Sequence, residues 1–183
     1  MNSDGSVIAI GATFNDGNGN PAGHVRVYEF NGINYVQRGQ DIDGEGAGDQ
    51  SGYSVTMNSD GSVIAIGAIR NDGNGIDAGH IRVYEFNGTN YIQRGQDIDG
   101  EAARDQFGYS VAMNFDGSVI AVGAIENDGN GNNAGHVRVF ECITLPSQRP
   151  TVSPTQLPTF LPTALPSLSP SSWISAKEKE EVA

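Results

Sequence analysis

Acidic residues recur at one fixed spacing in two stretches of the 183-residue chain. In Asp41-Ile42-Asp43-Gly44-Glu45-Gly46-Ala47-Gly48-Asp49 they stand at relative positions 1, 3, 5 and 9. Asp97-Ile98-Asp99-Gly100-Glu101-Ala102-Ala103-Arg104-Asp105 repeats that spacing. Carboxylates alternating along a tight, glycine-containing loop suit Ca²⁺, which takes about six to eight oxygen ligands. The candidate calcium ligands are therefore Asp41, Asp43, Glu45 and Asp49, and again Asp97, Asp99, Glu101 and Asp105. The bland alternative is a solvated acidic connector in which one aspartate caps a turn. Ala102 in place of Gly46 predicts a less sharp turn and weaker binding in the second copy.

A second polar pattern lies in Asp16-Gly17-Asn18-Gly19-Asn20, Asp72-Gly73-Asn74 and Asp128-Gly129-Asn130-Gly131-Asn132. It resembles half of a calcium loop but lacks the bidentate glutamate that closes one, and turn geometry explains Asn and Gly equally well. His24, His80 and His136 stand 56 residues apart, each just before an alternating segment. That spacing predicts one histidine per structural unit, too far apart to share an ion, and a turn-capping or inter-unit hydrogen bond for each. Cys142 is the only cysteine, so no disulfide forms within the chain. Asn87-Gly88-Thr89 is a glycosylation sequon on an expected hairpin turn. An active site needs different residue types converging on one point, and near-identical units supply the same types repeatedly. The chain is therefore expected not to be an enzyme.

The elements that carry these residues are set by a repeat. Met1, Met57 and Met113 open the same phrase, and residues 1–56 match residues 57–112 at 45 of 56 positions. A fixed period of this size marks a repeat architecture. Within a unit, Gly52–Met57 alternates apolar and polar, and Asp60-Gly61 turns the chain. Ser62–Ala68 is apolar on both faces, as in a strand covered from both sides. His80–Phe86 alternates again, Asn87-Gly88 makes a second tight turn, and Asn90–Arg94 is a fourth strand. The expected strands fall at residues 6–12, 23–30, 33–38, 52–57, 62–68, 79–86, 89–94, 108–113, 118–124 and 135–141. The fold class is all-β: tandem four-stranded antiparallel blades of a partial β-propeller, about two and a half of them. A β-trefoil also repeats four strands, but its units are shorter and it needs three complete ones. The chain starts inside a unit and is expected to be a fragment of a larger protein.

Phe107-Gly108-Tyr109-Ser110-Val111-Ala112, Asp116-Gly117 and Val119-Ile120-Ala121-Val122-Gly123-Ala124 resemble the FG-GAP repeat of integrin α-chain propellers. The likeness extends over residues 1–142 and is nearest to the FG-GAP-like repeats of large secreted and surface proteins. It implies a β-propeller. Gly-Ala is followed by Thr13, Ile69 and Ile125 rather than by proline, and the earlier Phe-Gly position is Ser51-Gly52. The Asn-x-Asp-Gly link between the first two strands is too short for the cation loop that integrin blades carry there.

From Leu145 the composition changes, with proline at every fourth position from Pro146 to Pro170. Such a segment builds no packed core and favours polyproline II. It resembles O-glycosylated stalks and the Pro-Ser-Thr repeats of algal surface proteins, and an unmodified linker is the alternative. The expected organisation is blades over 1–145, a disordered stalk over 146–172 and a charged tail over 173–183, with at most a helical turn through Ala176–Glu180. Net charge is −12, and the repeats hold no lysine, which disfavours nucleic acid and anionic membranes as partners. No apolar run is long enough for a membrane span. The composite expectation is an extracellular or cell-surface module for protein or glycan interaction and adhesion, self-associating through open blade edges. The alternatives are a structural wall or matrix component and a propeller hydrolase or lyase.

Overall fold

The computed structural model describes residues 1–18, 20–143 and 172–175. Three antiparallel sheets stack face to face without closing into a ring. The first holds β1 (Val7–Ala12), β2 (His24–Phe30), β3 (Tyr35–Gln37) and β4 (Ile42–Asp43). The middle sheet holds β5 (Ser51–Met57), β6 (Val63–Ala68), β7 (His80–Phe86), β8 (Tyr91–Gln93) and β9 (Ile98–Asp99). The third holds β10 (Phe107–Met113), β11 (Val119–Ala124), β12 (His136–Ile143) and β13 (Ser172–Ser175). All ten expected strands are present, with ends within about two residues. The architecture is that of a partial β-propeller.

Strand alternation sends successive side chains to opposite faces, so the doubly apolar second strand serves two interfaces. Val63 and Ala65 of β6 pack with Ile81, Val83, Phe107, Ile120, Val122 and Phe140 toward the third sheet. Ile64 and Ile66 pack with Val7, Val25, Val27, Ile42 and Tyr84 toward the first. Every residue of β6 is consequently buried, whereas β1 and β11, at the two ends of the stack, are buried only in part.

Three features depart from the expectation. Ile42–Asp43 and Ile98–Asp99 are short strands, pairing with the starts of β2 and β7, where an irregular connector was expected. Ser172–Ser175, which the composition placed across the boundary of stalk and tail, pairs with β12 as the fourth strand of the third sheet. Its register, Phe140↔Ser175 to Cys142↔Trp173, repeats Tyr84↔Gln93 to Phe86↔Tyr91 one unit on. The stalk over 146–171 and the helical turn at Ala176–Glu180 lie outside the described residues.

Candidate functional site

Each third strand opens with histidine and carries arginine two positions later: His24 and Arg26, His80 and Arg82, His136 and Arg138. Period-two alternation puts both on one face. β4 and β9 then bring the connector acids beside them, because His24 pairs with Asp43 and His80 with Asp99. In the first unit the Arg26 guanidinium donates to both oxygens of Asp41 at 2.8–3.0 Å, and the Gln37 amide donates at 2.7 Å. The Arg26 hydrogen bonds, with Gln37 assisting, hold the Asp41 carboxyl below its ordinary value.

The middle unit differs because a blade precedes it. Glu45 reaches over from the preceding connector to 3.3 Å from Arg82 Nη2. Arg82 now donates chiefly to Gln93 Oε1, at 2.7 and 3.1 Å, and stands 3.4 Å from Asp97 Oδ1. Asp97 Oδ2 faces His80 Nδ1 at 3.8 Å, too long for a hydrogen bond. Donor atoms of Glu45, His80 and Asp97 lie within 4.8 Å of one another, and no other group of three such residues converges among the described residues. The His80 side chain is 3 % exposed, and its Nδ1 has no hydrogen-bond partner. The expected turn cap or inter-blade hydrogen bond is thus not made by this nitrogen. Burial pushes the imidazole below its ordinary value; Asp97 pulls the other way and Arg82 adds to the lowering. Burial likewise raises the Glu45 carboxyl, against the pull of Arg82. A shallow, open depression lined by Glu45, Gln93, Gly95, Gln96, Asp97 and Asp99 exposes the two carboxylates of the cluster to solvent.

The other candidate acids turn to separate partners. Asp49 Oδ2 accepts from Gly46 N and Asn71 Nδ2, both at 3.0 Å, and is buried. Asp105 repeats this with Ala102 N at 3.0 Å and Asn127 Nδ2 at 2.9 Å. Each connector is thereby stitched to the strand 2–3 loop of the next blade. Gly46 does not use the left-handed region, so Ala102 makes the same turn without strain, contrary to the weaker turn expected of it. Glu101 lies 3.5 Å from Arg138 Nε and 3.8 Å from His136 Nδ1. In the strand 2–3 loops, Asp72 and Asp128 accept from the backbone N–H of Asp77 and Asn133, and Asn74 donates to Gly100 O at 2.8 Å. These loops are tied to the connectors rather than arranged around a common point.

What joins one blade to the next is a pair of glycines. Gly52 and Gly108 sit at register shifts in β5 and β10 with φ of 86° and 92°, which side-chain-bearing residues rarely adopt. Across the interface they meet Gly11 and Gly67. A Cβ on Gly11 would stand 2.0 Å from Gly52 O, and one on Gly67 would stand 2.4 Å from Gly108 O. Phe-Gly in one blade and Gly-Ala in the preceding one are therefore two halves of one contact. Residues 98–140 match the family described as FG-GAP repeat.

Over those residues the chain is similar to an FG-GAP repeat.

Within the matched residues β10 supplies Phe107-Gly108 and β11 supplies Gly123-Ala124, and the similarity agrees with the propeller-type arrangement of the sheets. No curated protein matches the chain. Sequence reasoning missed the Glu45–His80–Asp97 cluster because it grouped the acids by connector. The signal that could have found it is the 56-residue period itself: His80 and Glu45 are 35 residues apart in sequence but adjacent once blades stack.

Proposed function

We propose that the chain is a non-catalytic propeller module that binds a protein or glycan partner outside the cell. The observation that carries this reading is the state of its repeated polar groups. The arginine of each third strand is engaged by a connector acid, unit after unit, as in a scaffold whose charges position blades. A hydrolase or lyase needs unlike groups converging on substrate, and the paired arginines disfavour that. FG-GAP repeats are typical of extracellular proteins, and no described helix is long and apolar enough to cross a membrane. The acidic, lysine-free surface of the repeats suits a neutral glycan or a basic protein face and disfavours nucleic acid. In this reading the blades of residues 1–145 form the binding head and the Pro-Ser-Thr segment its stalk, and Asn87 accepts a glycan on an exposed turn.

A panel of cell-surface and matrix proteins and glycans, presented to the full chain, tests the proposal. Saturable binding with no turnover of glycosidic or ester substrates is the expected result. Turnover abolished by one substitution would replace the proposal with the hydrolase or lyase reading. Absence of any saturable ligand alongside concentration-dependent assembly would favour the structural wall or matrix reading.

A further inference from the structure

We infer that Glu45, His80 and Asp97 form a binding site for a borderline transition-metal ion of the Zn²⁺ class at the interface of the first two blades. The donor set decides the class. An imidazole nitrogen with two carboxylates suits Zn²⁺, whereas Ca²⁺ selects oxygen donors, and more than three of them. His80 Nδ1 is the independent indication of a ligand. It is buried, has no hydrogen-bond partner and is aimed at Asp97 Oδ2, 3.8 Å away. A buried polar atom left without a partner is costly, and a bound cation satisfies it. Donors about 2.1 Å from a tetrahedral ion lie about 3.4 Å from one another. The three groups here, within 4.8 Å, need only a small closing movement, which the 43 %-exposed Glu45 side chain supplies by turning from Arg82.

Arg82 is the obstacle, standing 3.3 Å from Glu45 and 3.4 Å from Asp97. Those contacts use Glu45 Oε1 and Asp97 Oδ1, and the guanidinium's shorter hydrogen bonds go to Gln93. Asp97 Oδ2 still faces the histidine. Asp99 lines the same depression, so the site stays net negative with Arg82 in place. The open depression beside Glu45 and Asp97 leaves room for water at the remaining coordination positions.

The site belongs to the interface and not to a single unit. His24 has Asp41 at 3.8 Å, but Arg26 grips that carboxylate at 2.8 Å, and no preceding connector supplies a glutamate among the described residues. His136 has Glu101 at 3.8 Å but no counterpart of Asp97 among the described residues. A blade with both neighbours in the repeat therefore completes the set.

The test is calorimetric titration of the tag-free, chelator-stripped full chain with ZnCl₂ at neutral pH. One ion per chain is expected. Glu45→Gln and Asp97→Asn should each weaken binding by about ten- to a hundredfold, at least what losing a supporting partner costs. Cys142→Ser should leave it unchanged. Nitrogen-15 NMR of the unmodified chain should show the His80 Nδ1 resonance move on addition of Zn²⁺, a readout independent of how any variant folds. Failure of Zn²⁺ to bind, or binding indifferent to Glu45→Gln, overturns the assignment. So does an unmoved Nδ1 resonance, or displacement of Zn²⁺ by an equal concentration of Ca²⁺.

Discussion

A single residue type, glycine, sets how closely the blades approach, and the cost of changing it depends on whether a neighbour is present. Gly67 and Gly123 occupy the same repeat position. A Cβ on Gly67 would meet the Gly108 carbonyl at 2.4 Å, whereas one on Gly123 would meet only the Ser110 hydroxyl oxygen, at 2.6 Å. Backbone cannot yield as a rotating hydroxyl can. Gly67→Ala should therefore lose about 1–3 kcal/mol in denaturant unfolding, the usual cost of overpacking, and Gly123→Ala distinctly less. Equal losses would show that the interface is not what constrains the position. Two tyrosines report on the same packing. Burial raises Tyr84 and Tyr91 from 10.0 to about 12, with Arg82 and Arg38 respectively opposing it. Their ionisation is thus easier in the unfolded chain, so the stability they contribute is intact below pH 10 and is lost as pH rises toward 12. Spectrophotometric titration should find these two ionising last of the six tyrosines, together with unfolding. Tyr91→Phe should remove one late step and also the 2.6 Å hydrogen bond to Gly61 O, for about 1 kcal/mol. Titration of all six near pH 10 with the fold intact would contradict the burial.

Among the elements, the regular strands were legible and the connectors were not. Alternation and Asp-Gly or Asn-Gly turns placed each long strand because they report local geometry, which one unit contains by itself. The doubly buried β6 was equally plain, since a strand apolar on both faces must be covered on both. Connectors depend on partners far away in sequence, in their own sheet or in the next blade. Ile42–Asp43 became a strand because β2 had an unpaired edge at its start, and Asp49 became a stitch because Asn71 waits across the interface. β13 was obscured by the proline-rich run before it, although Trp173-Ile174 occupies the positions of Tyr91-Ile92. The connector geometry also sharpens the calcium proposal. An ion held by Asp41 and Asp43 must compete with Arg26, which already donates to Asp41 at 2.8 Å. Calcium at millimolar concentration should therefore raise the thermal midpoint only slightly at low ionic strength. A rise of several degrees, reversed by chelator and abolished by Asp41→Asn with Asp43→Asn, would establish the connector as a calcium site.

At the scale of the whole molecule, the two outer sheet faces are complementary by construction. Val137 and Val139 are 68 % and 42 % exposed, yet their equivalents in the middle sheet, Ile81 and Val83, are at most 1 % exposed. At the other end Ile10 is 51 % exposed where its equivalent Ile66 is 2 %. The face of the third sheet corresponds to the one that the middle sheet presents to its successor. The outer face of the first sheet corresponds to the one presented to a predecessor. A second copy can therefore dock head to tail, repeating the internal blade interface, which is a heterologous contact. Sedimentation at rising concentration should show association beyond monomer. Ile10→Lys should block it by spoiling one face, and Val139→Lys by spoiling the other. Mixing the two variants restores a single good interface, between the third sheet of the first variant and the first sheet of the second. The mixture should accordingly stop at a heterodimer while each variant alone stays monomeric. An unmodified chain that remains monomeric throughout would sink the idea, as would two variants that do not complement each other, because a self-complementary twofold contact could not be repaired by mixing.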